Sequence, residues 1–150
     1  MTQPSNRPRQ RGSTLVEFSL VSLLLFSVVL ATIEFNRMIL VYTAVANAAR
    51  AGARYAVVHG SSRSTGTGVD NASGPSSTNT TQVKTVVKNY ANSGTINPTN
   101  LVINVTYPDG SNDPGSRVRV AVTYPYDFIA WLSLPLSVNL GSQSQGIIEF

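Results

Sequence analysis

Cysteine is absent from this 150-residue chain, histidine occurs once, at position 59, and only 12% of the residues carry charge. The first absence removes disulfide staples and any thiol nucleophile, and the scarcity of histidine removes a multi-histidine metal centre. A serine-histidine-aspartate arrangement would have to draw on His59 with Asp70, Asp109, Asp113 or Asp127, and nothing marks which serine would join them. The chain therefore reads as a non-enzyme with no catalytic residue, no metal site and no cofactor. Acidic residues are also few, seven against eleven basic ones, for a formal net charge of +4. Three of the eleven, Arg7, Arg9 and Arg11, fall in the first twelve positions, where no acid occurs, and the rest of the chain holds eight basic against seven acidic groups. The excess of positive charge is thus a local feature of the amino end. No basic patch remains to argue for nucleic acid.

A long apolar run is present. After the basic leader come Gly12 and Ser13-Thr14-Leu15-Val16-Glu17-Phe18, and from Phe18 to Ile33 sixteen consecutive residues carry no charge. Leu15 to Ile33 forms a helix of about 27 Å at 1.5 Å per residue, long enough to span a bilayer with little tilt. A removable secretory signal would show a shorter apolar region without Glu17 and a small-residue cleavage site close behind it; Ala44-Val45-Ala46 lies too far downstream, after Glu34 and Arg37. Basic residues flanking a span stay cytoplasmic, so Arg7, Arg9 and Arg11 predict a cytoplasmic amino end and an outward carboxyl-terminal part. A carboxylate within the hydrocarbon costs roughly 2.5 to 3.5 kcal/mol at a helix centre and calls for a partner. Cleavage after Gly12 would place Glu17 fifth in the new chain, behind a free amine on Ser13 that, with a pKa of about 7.7 to 8.0, is largely protonated at neutral pH. This is the arrangement read by a prepilin peptidase, and it predicts that Glu17 meets the Ser13 amine of a neighbouring subunit.

The helical pattern continues past the apolar run. Residues 34–58 contain no proline and a single late glycine, and Met38, Val41, Tyr42, Val45, Ala49, Gly52 and Ala56 recur at spacings of three and four as one apolar stripe. Thr43, Asn47, Arg50 and Arg54 fall on another face. One helix from Ser13 to Val58 is expected, membrane-spanning over 13–33 and continuing as a spine over 34–58, with Glu34 and Arg37 paired on its surface. His59 is expected as a solvated residue at the helix end, where a cation suits the macrodipole. From His59 to Gln82 serine, threonine, glycine and asparagine dominate, which reads as an exposed loop.

Residues 83–150 read as an exported α+β part. A short helix is expected from Thr80 or Thr81 to Asn92, then a strand in which Leu101, Ile103 and Val105 face one way, and a second strand over Arg117–Tyr124 with Val118, Val120, Val122 and Tyr124 inward. The turn formers of Pro108–Gly115 join them as an antiparallel hairpin, and Pro125 is expected to interrupt the second strand. Phe128–Leu134, with the single tryptophan Trp131, reads as an apolar connection, while Leu136–Leu140 and Gly146–Phe150 supply further strand material. Asn71, Asn79 and Asn104 match a glycan acceptor pattern that carries little weight by itself.

With Arg11-Gly12-Ser13, Val16-Glu17-Phe18, Glu34-Phe35-Asn36-Arg37, Asn47-Ala48-Ala49-Arg50, Ala53-Arg54 and Val118–Tyr126 as they stand, the chain resembles TadE-like proteins, pseudopilins of the tight-adherence pilus system related to type IV pilins. The resemblance implies an α+β, pilin-like fold: a long amino-terminal helix, its first half in the membrane, packed on a small antiparallel sheet. It implies processing after Gly12, inner-membrane insertion and a role in pilus assembly and surface adherence. Its partners would be a prepilin peptidase, other pilins or pseudopilins, the inner-membrane assembly platform and the lipid bilayer. Gly12 and Ser13 would serve processing, Glu17 and Phe18 assembly. Ser13 stands where many type IV pilins carry phenylalanine, and no disulfide-closed loop occurs near the carboxyl end. Removing twelve of the 150 residues leaves 138, far more than a short major pilin of this system, so a minor or accessory subunit is expected. The competing reading is a single-pass, membrane-anchored binding module that never enters a fibre and does not depend on a cut at Gly12.

Overall fold

The computed structural model describes residues 10–60, 80–92, 96–128 and 137–149, the side chains of residues 10 and 11 excepted. Among the described residues the fold is α+β, with one long helix, one short α-helix and a three-stranded antiparallel sheet in the order β1-β2-β3. Helix α1 is Gln10–Val57, α2 is Thr81–Ala91, and the strands are β1 Val102–Thr106, β2 Arg117–Asp127 and β3 Ser137–Ile147. By its internal contacts the chain divides into residues 1–37 and 38–150.

In the first unit, the helix requires little beyond its own backbone. Its polar side chains turn back on the preceding turn: Ser19 donates to the Val16 carbonyl at 2.8 Å, Ser27 to Leu24 at 2.7 Å, Thr32 to Val28 at 2.8 Å and the Asn36 amide to Thr32 at 3.0 Å. The hydroxyls and the amide are thereby satisfied inside the helix.

The second unit holds the core. Val41, Val45, Ala48, Ala49, Ala53 and Ala56 of α1 join Val83, Val87 and Ala91 of α2 and Val118, Val120, Val122 and Tyr126 of β2 in one buried cluster. Fully burying a valine-sized side chain contributes about 1.5 to 3 kcal/mol. Close approach is set by Gly52: a methyl group there would overlap Val87 and lie 3.3 Å from Val120. The expected stripe is confirmed at Val41, Val45, Ala49, Gly52 and Ala56, and the opposite face, Thr43, Asn47, Arg50 and Arg54, is exposed. Tyr42 departs from it. It stays 48% exposed, while Ala48 and Ala53 take buried places instead, because the elements covering α1 meet a band of small residues and the tyrosine falls at its margin.

The last carbonyls of α1 are occupied. His59 Nδ1 donates to Tyr55 at 2.8 Å, the His59 backbone N–H donates to Ala56 at 3.3 Å, and Glu149 N–H donates to Val57 at 3.0 Å. The His59 ring stacks on Tyr55 with centroids 3.9 Å apart, so His59 is half-buried against its own helix rather than solvated. The residues after β3 also fix the sheet to the hairpin, for Ile148 is buried and exchanges backbone bonds with Gly115 and Ser116 at 2.8 and 2.9 Å.

Two strands run further than their composition suggests. β2 continues through Pro125 to Asp127, because its pairing with β1 ends at Val102↔Thr123 and the proline lies beyond that point, where a missing donor is tolerated as on an edge. β3 is one strand of eleven residues from Ser137 to Ile147, passing through Gly141-Ser142-Gln143-Ser144-Gln145-Gly146; every residue pairs with β2, so the ladder supplies what weak strand formers lack. Of the apolar connection after β2 only Phe128 is described, set edge-on to Tyr126 with centroids 5.3 Å apart. Trp131, Phe150, Asn71, Asn79 and residues 61–79 of the expected loop lie outside the described residues.

Candidate functional site

The amino-terminal stretch of α1 presents large apolar side chains outward. Leu15, Val16, Phe18, Leu20, Val21, Leu23, Leu24 and Leu25 are all at least 59% exposed. No soluble helix keeps such a surface without a covering phase, and α1 is long and apolar enough to cross a membrane. One apolar amino-terminal helix is consistent with a single-pass membrane anchor.

Glu17 sits within this surface, exposed, with no hydrogen bond or ion pair to any of the described residues. Ser13 and Glu17 are four apart on α1 and share a face, one turn of helix between them. Gly12 lies in the first turn of the helix, and nothing among the described residues lies within 4 Å of the place its side chain would take. Arg7 and Arg9 lie outside the described residues, and the side chain of Arg11 with them. Further along, Arg37 Nη1 reaches Glu34 Oε1 at 3.1 Å and Oε2 at 3.3 Å, an ion pair within one helix turn.

Residues 12–54 match the family model described as TadE-like protein. This segment of the chain is similar to TadE-like proteins. The match begins at Gly12, contains Ser13, Glu17, Phe18, the Glu34–Arg37 pair and the Asn47–Arg50 stretch, and covers under a third of the chain; the β2 residues that contribute to the resemblance lie outside it. The likeness is confined to this segment. No curated protein and no solved structure matches the chain.

Away from the TadE-like helix the strongest electrostatic feature is one that composition did not announce. Asp109, in the hairpin connection, accepts the backbone N–H of Arg117 at 2.8 Å and the guanidinium through Nη2 at 2.6 Å. The Arg117 side chain, then its backbone N–H, hold the Asp109 carboxyl at about 2, below its ordinary 3.8, and the same bond raises Arg117. The signal in the sequence was an Asp-Gly turn eight residues before an arginine that opens a strand. Both groups are surface-exposed and fasten the hairpin. Among the described residues no group of three or more histidine, aspartate or glutamate side chains could hold a metal ion.

Proposed function

We propose that this chain is a minor pilin or pseudopilin subunit of a tight-adherence, type IV-like pilus assembly system. A prepilin peptidase cuts after Gly12, the carboxyl-terminal part faces outward from the inner membrane, and the subunit supports pilus biogenesis and adherence. The observation that carries this reading is Glu17, an exposed carboxylate without a partner among the described residues, on a helix where Ser19, Ser27, Thr32 and Asn36 each bond within the helix.

Cleavage creates what the carboxylate lacks. The Ser13 amine of the processed chain carries positive charge at neutral pH, and the same residue on a neighbouring subunit can approach Glu17 where Phe18 and its apolar neighbours exclude water. Two charges about 4 Å apart attract by roughly 4 kcal/mol at an effective dielectric constant of 20, against about 1 kcal/mol in water, so the pairing gains strength as subunits come together. Intramolecular pairing is less suited, since the Ser13 amine opens the helix whose N–H groups already face it.

Replacing Glu17 by Gln tests this. The expected result is normal insertion and normal cleavage, with incorporation into a pilus or a pilin complex lost, as read by co-purification of the tagged subunit with its pilus partners. Assembly at the wild-type level would contradict the pairing.

A further inference from the structure

The apolar exposure of α1 does not stop at Ile33. Within the unit 38–150, Ile39 is 42% exposed, Leu40 60% and Tyr42 48%, although the same turns bury Val41 and Val45 completely or nearly so. No acid or base lies between Met38 and Asn47, and the Thr43 hydroxyl donates to the Leu40 carbonyl at 2.8 Å. Resting on the membrane reading above, we infer that Ile39, Leu40 and Tyr42 form a second lipid-contacting surface, seated in the headgroup layer of the outward leaflet, so that the boundary with water lies at Asn47 rather than at Ile33.

Length favours this occupant. Leu15 to Ile33 rises about 27 Å, enough for the hydrocarbon core of about 30 Å and no more, whereas Leu15 to Tyr42 rises about 40 Å, close to the 40 to 45 Å of a bilayer with its headgroups. The chemistry agrees. Tyrosine is enriched where the bilayer meets water, because its ring is apolar and its hydroxyl is wet. The one charged pair on the way, Glu34 with Arg37, neutralises itself at 3.1 Å, and a long arginine stem can carry its head toward water. Arg50 and Arg54, beyond Asn47, are exposed cations suited to an aqueous phase.

Because the chain has no cysteine, single cysteines report their surroundings without background. Leu24→Cys, Ile39→Cys, Leu40→Cys, Tyr42→Cys, Asn47→Cys and Arg54→Cys variants of the full chain are placed one copy per lipid nanodisc of zwitterionic phospholipid and exposed to a membrane-impermeant maleimide. Dilution to one copy removes any second subunit as the source of protection, both faces are open to the reagent, and unfolding in SDS gives the full labelling of each site. The expected result is loss of labelling at positions 24, 39, 40 and 42 and full labelling at 47 and 54. Labelling at 39 and 40 as fast as at 47, with 24 still protected, overturns the inference and leaves the anchor standing. Protection that extends through 47 and 54 overturns it as well, and labelling at 24 overturns the membrane reading itself.

Discussion

Between Leu15 and Ile33 the exposed large side chains of α1 are leucine, valine, isoleucine and phenylalanine, 46% to 71% accessible; between Val41 and Ala56 the buried ones are two valines and five alanines at 9% or less. One helix thus carries two surfaces with opposite requirements. Large apolar groups fill space against a fluid and need no matching partner, whereas alanine and glycine let a helix come close to other backbone and gain their stability from fixed contacts. The polar groups do not follow this division: Ser19, Ser27 and Thr32 bond within the helix in the lower stretch, and so do Thr43 and Arg50 in the upper one, where Arg50 holds Asn47 at 3.1 Å.

Substitutions should affect the two stretches unequally. The largest effect is expected at Gly52, where valine would collide with the stiff, branched Val87; a loss of about 3 kcal/mol in a denaturant titration of the detergent-solubilised chain is the expected outcome. A wild-type midpoint would show that α1 and α2 are not in close contact. Next comes Val45→Ala, which removes two buried methyl groups and should cost about 2 kcal/mol, against no more than about 0.5 kcal/mol for the same kind of truncation at Leu24, which is 68% exposed. Equal costs at the two sites would erase the distinction between the stretches.

A smaller effect is expected outside α1. Because the folded chain holds the Asp109 carboxyl at about 2 rather than 3.8, Asp109 stabilises the fold fully above the ordinary carboxylate range, and this contribution disappears as the pH falls through about 2. Asp109→Asn should therefore lower stability at neutral pH and flatten the acid limb of the stability profile between pH 4 and 2, measured by thermal melts across that range. The smallest effect belongs to Glu34→Gln, which breaks a pair within one turn and should change stability by about 0.2 to 0.5 kcal/mol in the same titration.

How much of this was legible depended on whether the deciding force was local. The helix could be read because an apolar run without proline admits little else, and β2 because Val118, Val120 and Val122 alternate with outward residues. The strand status of Gly141–Gly146 could not, since serine, glutamine and glycine have weak strand preference and only pairing with β2 holds them. Pro125 misled for the related reason that its tolerance depends on where β1 ends, a fact of pairing and not of the local chain. At the candidate site the spacing of Gly12, Ser13 and Glu17 is a property of sequence alone, and its role is the proposal made above; the packing role of Gly52 and the Asp109–Arg117 clamp required partners distant along the chain or brought together by the turn.

The central claim is that the chain acquires its function by losing its basic leader. Intact-mass measurement of the protein extracted from membranes of cells that contain a prepilin peptidase tests it most directly. A mass corresponding to a chain that starts at Ser13 is predicted, and a mass that retains Arg7, Arg9 and Arg11 in those cells would contradict it.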